Sequence, residues 1–469
     1  MTAIPLTRAA AGQPTPPVRI VHLGIGAFAR AHQAWYTAHA DDAAGWGIAA
    51  FTGRGPAQAE RLAAQDGLYC LVVRGTDGDE VEVVGSVAEA HDGADLPRLE
   101  ALLADPAVAV VTLTITEGGH GVTADGAPDL DRAEVRADLA ALAAALEGRA
   151  PAAVPSLPLA RLVLALDARR RADAGPVAVV PCDNLPGNGA VVARAVAAFA
   201  APSPALVAWI DANVSFVSTS VDRITPRAEP PLAVVEESGW LDRASVVTEP
   251  FTDWVLAGAF PAGRPAWESA GARFVDDIEP WELRKLWLLN GAHSIMSFLG
   301  QERGRTTVAE AIADPTCRAL VDAFWAEAVD RLPVGTEHEQ YRRDLLERFA
   351  NPRIEHRLTQ IAGDATTKAR IRFAAVALRS LAAGADAGAS ARAVASWIRA
   401  TVSGVVPADT DATRAAMDDA DPVHALVAVL SQDLAADAGF VALVREDVGR
   451  RAEQARSSGQ SPSRSAIAR

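Results

Sequence analysis

The sequence predicts an α/β fold: a mainly parallel sheet covered on both faces, followed by a mostly helical part. Three observations predict it. Up to about Val180, short apolar and β-branched runs alternate with longer helical stretches, as in parallel sheets. After about residue 275 the strand-like runs stop, and helical periodicity continues to about 450. The chain has 469 residues, 50% hydrophobic and 22% charged. That is too long for one ordinary compact domain and apolar enough to bury a large core. The reading places one domain at 1–278, a second at 279–451, and a disordered tail at 452–469.

The elements follow in order. Val18–Leu23 is a short apolar run ending in glycines, a buried strand. Gly24-Ile25-Gly26 is a turn, and an amphipathic stretch runs on to about Ala40. A second strand is predicted at Gly47–Phe51. Leu68–Arg74 and Glu80–Val84 flank Gly75-Thr76-Asp77-Gly78-Asp79, which reads as a hairpin insertion. Ala107–Ile115 is strongly β-branched and predicts an inner strand. Helices are expected at 129–147 and 157–173, then a strand at Val177–Val180. Pro280 opens a long helix expected to stop at Gly300, with proline at its first turn and glycine past its end.

Charge and cysteine usage exclude several functions. Lys and Arg number 44 and Asp and Glu 59, for a net charge of −15. So acidic a chain does not hold nucleic acid or an anionic membrane by bulk charge. Cys70, Cys182 and Cys317 are far apart in the sequence, with no CxxC pattern, which fits a reducing cytoplasm. No apolar stretch reaches membrane-spanning length, and the first 17 residues lack a signal-peptide core. The ten tryptophans read as core residues.

The turn after the first strand carries G-x-G-x-x-A: Gly24, Gly26 and Ala29, with Ala27 and Phe28 between. The first glycine permits the tight turn, and the second lets a pyrophosphate approach the backbone. The small third residue permits close helix–strand packing. Glycines also make ordinary turns, so strand and helix on either side are what point to a Rossmann-type dinucleotide site. Acid is missing after the second strand, where NAD-preferring folds place it. Arg54 stands there instead, either to meet a 2′-phosphate or as a solvated turn residue, so NAD and NADP both stay open. His32 is either a cofactor-side or a helix-packing residue. Glu117 is a candidate on the cofactor side, with a local cap as the alternative.

The strongest signal is Pro280 to His293. At about 100° per residue, with Lys285 at zero, Glu282 falls near 60°, His293 near 80° and Asn290 near 140°. Four polar side chains share a sector of a helix otherwise lined by Leu283, Leu286, Trp287, Leu288 and Leu289. Burying them unpaired is costly, so the sector is either a functional face or a solvated one.

At this point the sequence resembles a known family over nearly its whole length. Lys285, Asn290 and His293 form the K-x-x-x-x-N-x-x-H signature of the polyol-specific long-chain dehydrogenases, the mannitol dehydrogenase family. This family includes mannitol 2-dehydrogenase, fructuronate and tagaturonate reductases and arabinitol dehydrogenase. His22 to Tyr36 resembles its N-terminal glycine block, and Thr112 to Glu117 its T-x-T-x-T-E strand end. Cys182 to Gly189 resembles its C-D-N block, and Val221 to Pro226 its V-D-R-I-x-P segment. The resemblance implies Lys285 as general base in alcohol oxidation and general acid in ketone reduction. It implies Asn184 and Asn290 as holders of the substrate oxygen, His293 as an orienting residue and Glu282 as an aid to proton passage. Asp222 and Lys368 would contact substrate hydroxyls. Asn188 and Gly189 read rather as the start of a helix, and Cys182 as structural.

The chemistry is consistent with these roles. Hydride leaves a secondary alcohol as its proton is removed, and a lysine can take that proton once burial and a nearby cation lower its pKa. Amide N–H groups stabilise charge developing on oxygen. A zinc-based alternative needs a recognisable Cys or His set, which the sequence lacks. Three departures lie near the substrate end: Gly118-Gly119-His120, Ala365-Thr366-Thr367 before Lys368, and Gln360 in place of an arginine seen in some mannitol-oxidising members. The expectation is therefore a Rossmann-type dinucleotide-binding domain with insertions and a helical substrate domain, using NAD or NADP and no metal. Its partner would be a small polyol or sugar acid, and the protein a cytoplasmic monomer. The competing reading is a catalytically silent nucleotide-linked sensor on the same scaffold.

Overall fold

The computed structural model describes residues 2–53, 55–123, 126–150, 152–226 and 232–457. The chain divides between Glu279 and Pro280 into two compact units. No helix among the described residues is long and apolar enough to cross a membrane.

The first unit is built on a six-stranded sheet: β1 (Val18–Leu23), β2 (Gly47–Phe51), β3 (Val87–His91), β4 (Val110–Leu113), β5 (Val177–Pro181) and β6 (Val214–Phe216). Their order is β3-β2-β1-β4-β5-β6, and every neighbouring pair is parallel. This is the doubly wound order of Rossmann-type dinucleotide-binding sheets. Alternate residues of the inner strands feed two cores. Val21, Ala49, Val111 and Val179 pack with Leu99, Leu142, Leu162 and Phe199 from the helices of one face. Ile20, Ile48, Val110 and Ala178 pack with Ala34, Tyr36, Trp254 and Trp267 on the other. Burial on both faces is why these strands read as unbroken apolar runs.

The expected hairpin is present, with Tyr69–Arg74 antiparallel to Asp79–Val84. A third strand, Val246–Thr248, joins it in parallel. The sequence reading missed β3 and β6. In β3 only Val87 is fully buried, and Val-Ala-Glu-Ala-His carries charge on one face; β6 has three residues. The buried tryptophans include Trp254, Trp267, Trp287, Trp325 and Trp397.

Arg169 shows what periodicity alone does not convey. It is fully buried in the helix Pro158–Ala172. Its guanidinium donates to the carbonyls of Leu103 (3.0 Å), Ala174 (2.9 Å), Gly175 (2.8 Å) and Pro176 (2.8 Å), with a longer bond to Asp105. It gathers the carbonyls where the chain enters β5 and where the helix Leu96–Leu103 ends.

The second unit is helical, and its first helical run departs from expectation. Glu279–Arg284 is α-helical, Lys285–Asn290 is a wider π turn, Gly291–Ile295 is α-helical and Met296–Gly300 is again π. Gly300 does not end the run. A Cβ there would lie 3.0 Å from both Ala311 Cβ and Leu358 Cδ1, so the glycine permits close packing. The stop is Gly304, at φ +76°. Arg305 N–H donates to Gly300 O and Gly304 N–H to Gln301 O, the paired bonds of a Schellman cap. At the far end the expected tail is helical as far as Ser457; its remaining residues, 458–469, lie outside the described residues.

Replacing Arg169 with Met should leave those carbonyls buried without a donor. The expected loss is about 3–5 kcal/mol of unfolding free energy, by analogy with removing one partner of a buried charged network. It would be read as a lower urea midpoint at an unchanged slope.

Candidate active site

The glycine turn after β1 is shaped by what surrounds it. Gly24 has φ +105°, and a Cβ there would lie 2.4 Å from Thr114 O. No other residue fits. Gly24 and Ile25 N–H both donate to Phe51 O at 2.9 Å. The Thr114 hydroxyl donates to Gly24 O at 2.6 Å. A Cβ at Gly26 would meet only Gly24 O, at 3.8 Å, so this glycine borders open space. The helix Ala27–Ala31 starts there, and its first amides have no intrahelical acceptor. Arg30 Nε donates to Gly26 O at 3.1 Å and its Nη1 to Ala244 O, which fixes the carbonyl side of the turn. A backbone approach at Gly26 beside free first-turn amides fits a pyrophosphate.

Behind the turn lies a polar relay. His22 is buried, with Nδ1 2.7 Å from Thr112 Oγ1 and Nε2 3.0 Å from Thr114 Oγ1. Because Thr114 spends its proton on Gly24 O, the consistent assignment is Nε2–H on His22, with Nδ1 accepting from Thr112. Burial lowers the His22 pKa to about 4. His32 is fully buried, stacked on Phe28 at 5.0 Å, with Nε2 3.1 Å from Asp253 O. Of the two readings left open for it, this is the helix-packing one. The backbone breaks at His32, and the carbonyls of Arg30 and Ala31 receive donors from Tyr69 and Arg223.

Glu117 opens a short 3-10 turn, Glu117–His120, after β4. His120 Nε2 meets Asp183 Oδ2 at 2.9 Å, both groups buried, and Leu185 N–H donates to Asp183 Oδ1 at 3.0 Å. Asn184, exposed, sits between these two anchors. Asn188 begins the helix Asn188–Ala200, as expected. Its amide also spans Asp183 O (3.3 Å) and Thr219 O (3.1 Å), and its Oδ1 takes Thr219 N–H at 2.8 Å. It thereby ties the Asn184 loop to the strand Ser218–Asp222, whose last residue is the buried Asp222. Arg54 lies outside the described residues.

In the second unit Lys285 and Asn290 are the first and last residues of the π turn, both half-buried, with Glu282 half-buried one turn before. An ideal α-helix separates Lys285 and Asn290 widely. A turn closed by i→i+5 bonds brings residues five apart nearly above one another. Two carbonyls of the widened turn take outside donors: Trp325 Nε1 reaches Leu288 O at 2.7 Å, and Arg372 Nη1 reaches Asn290 O at 2.9 Å. Arg372 also donates to Ser294 Oγ at 2.7 Å. Gly291 permits the approach of Phe324, whose Cε1 would lie 2.6 Å from an added Cβ.

His293 is buried, its ring 5.0 Å from those of Phe349 and His356. Burial, then the positive charges of His356, Arg348, Arg372 and Lys368, hold its pKa well below the usual value. It is a neutral imidazole, and its Nε2 has no hydrogen-bond partner among the described residues. Lys368 is half-buried, donates to Ile361 O at 3.0 Å, and has a pKa lowered by burial and by Arg372. Arg284, which the sequence reading passed over, is fully buried between the rings of Trp281 (4.6 Å) and Tyr341 (4.0 Å). The second unit thus carries Lys285, Asn290 and His293 along one helical run, and the Lys368 charge acts on His293. The first gathers Gly24, Gly26, Ala27 and Phe28 at one turn, and Glu117, Asn184 and Asp222 at strand ends. His22 heads the N-terminal glycine block and His120 stands in a departure from the family pattern, but neither spacing shows the hydrogen bonds they make. Arg284 and Arg372 lie at no motif position, and their signal is a charge in an apolar helical stretch.

Both lowered histidines imply acid sensitivity. Unfolded histidines titrate near 6.5, so below about pH 6.5 the unfolded chain binds protons that the folded chain refuses, and stability falls with pH. For His22 the loss continues down to about pH 4. Imidazole proton resonances should show His22 and His293 still neutral at pH 5.5. A folded-state midpoint above 6 for either would contradict their burial.

The chain matches the mannitol dehydrogenase Rossmann domain over residues 18–269 and the mannitol dehydrogenase C-terminal domain over residues 277–450. It is 35% identical to a D-mannonate oxidoreductase of Escherichia coli (strain K12) over 455 residues, 91% of each chain. Among solved structures, a substrate-free D-sorbitol dehydrogenase superposes with TM-score 0.85 at 28% identity, covering 97% of this chain and 99% of that one. Pseudomonas fluorescens mannitol 2-dehydrogenase, in a ternary complex with NAD and D-mannitol, superposes with TM-score 0.75 at 30% identity, covering 97% and 98%. With both halves matched in order and a relative aligned over nine-tenths of each chain, this protein belongs to the mannitol dehydrogenase family of oxidoreductases.

Proposed function

We propose that the protein catalyses reversible, metal-independent hydride transfer between NAD(P) and a secondary alcohol of an open-chain polyol or sugar acid. Mannitol/fructose and mannonate/fructuronate are the leading pairs. The observation that carries this is the π turn, which sets the Lys285 amine and the Asn290 amide on one widened turn, with neutral His293 following on the same helical run. The nicotinamide supplies the hydride acceptor or donor. Lys285 takes the alcohol proton during oxidation and returns it during reduction. The amides of Asn290 and Asn184 hold the oxygen as charge develops on it, which favours the transition state over the ground state. A neutral His293 can accept or donate a hydrogen bond to a substrate hydroxyl without adding a charge to the site. Asp222 and Lys368 contact further hydroxyls or a carboxylate. The glycine turn holds the pyrophosphate, with Glu117 and Arg54 on the cofactor side and Glu282 aiding proton passage. The reading takes the protein as a cytoplasmic monomer, for which light scattering should return the mass of one chain.

The test is nicotinamide absorbance with a panel of polyols and keto-sugar acids, run with NADH and NADPH. Lys285→Ala should lower kcat by about 10²–10⁴-fold, the usual range for a positioned proton-transfer group, while cofactor affinity survives. Unchanged turnover would reject Lys285 as the base. Tight dinucleotide binding without turnover across the panel would favour the silent sensor.

A further inference from the structure

We propose that Asp92 is the carboxylate that reads the adenosine ribose, and that the protein therefore favours NAD(H) over NADP(H). The proposal rests on the dinucleotide reading above. In NAD-binding sheets of this topology, an acid at the C-terminal end of the second strand accepts hydrogen bonds from ribose hydroxyls. Here β2 is followed by Thr52 and Gly53, with no acid. The neighbouring strand supplies one. Phe51 of β2 is in register with His91, the last residue of β3, and Thr52 N–H donates to His91 O at 3.0 Å. Asp92 therefore emerges beside Thr52, at the edge of the sheet where cofactors of this fold bind.

The carboxylate is fixed there. The Thr52 hydroxyl donates to Asp92 Oδ1 at 3.4 Å and accepts from Gly93 N–H at 2.9 Å. Ala94 N–H reaches the same Oδ1 at 3.1 Å. Gly93 is held so closely that an added Cβ would lie 2.1 Å from Thr52 O and 2.6 Å from Arg161 Nη1. Both local donors use Oδ1. Oδ2 has no hydrogen bond among the described residues, which leaves it to accept from a ribose hydroxyl.

Among the described residues the surrounding charges do not reverse this. Arg98 and His91 both bond Glu89, at 2.7 Å each. Arg161 faces Asp138 as well as Asp92. A 2′-phosphate at this edge would stand against the Asp92 carboxylate, a like-charge contact, whereas a 2′-hydroxyl would donate to it.

Fluorescence titration of the whole protein with NADH and with NADPH, without substrate, tests the assignment. A hydrogen bond to a charged group supports an expected NADH preference of about tenfold or more. Asp92→Ala should weaken NADH binding by about tenfold and leave NADPH binding unchanged or better. Asp92→Asn keeps an acceptor for Thr52 and Ala94 while removing the charge. It should bring the two affinities within about threefold, with a thermal midpoint near wild type. It carries the test if the alanine variant fails to fold. A wild type that prefers NADPH, or an affinity ratio that the asparagine variant leaves in place, would overturn the role of Asp92 while the dinucleotide reading stands. Binding of neither nucleotide by the wild type would overturn both.

Discussion

The widened turn at Lys285–Asn290 is the constraint on which the proposed chemistry depends. A regular helix would spread its polar residues around a broad arc. The π turn instead brings its first and last residues, Lys285 and Asn290, nearly into line along the helix, and such a turn persists only where its displaced carbonyls find donors. Trp325 and Arg372 provide them, at Leu288 and Asn290. Both donors come from other helices of the second unit. The geometry of the turn is therefore a property of the packed unit and not of the local peptide.

Electrostatics follows the same logic of burial. Arg284, Arg372 and Lys368 place positive charge around a helical run whose remaining side chains are mostly apolar. Arg284 is accommodated by two aromatic faces, a cation–π arrangement that tolerates desolvation. His293, buried and facing Arg372 and Lys368 together with His356 and Arg348, is held neutral. In the first unit the Thr114 hydroxyl links the imidazole of His22 to the carbonyl of Gly24, so the shape of the glycine turn is set from inside the sheet. In both units buried polar groups hold the glycine turn and the π turn in place.

Legibility in the sequence tracked burial. Strands β1, β2, β4 and β5 were visible because both of their faces are covered and their apolar runs are unbroken. Strand β3 escaped notice because one face carries Glu89 and His91, and β6 because it is three residues long. Gly300 has the sequence setting of a helix stop, but its absent side chain serves packing against Ala311 and Leu358. The helix stop is Gly304, which adopts the left-handed conformation that terminates helices. His120 and Asp183 lie 63 residues apart, and nothing local announces that they meet beyond the ends of β4 and β5.

The sequence by itself determined the α/β class, the glycine turn, and the linear signature of Lys285, Asn290 and His293, because each is written in short-range pattern and residue chemistry. The tertiary structure alone decided the π geometry of the Lys285–Asn290 turn, the neutrality of His293, and the delivery of Asp92 to the end of β2. Each of these depends on which groups distant in the chain come to lie within a few ångströms. Strand order, helix packing and desolvation settle that, and local periodicity does not encode it.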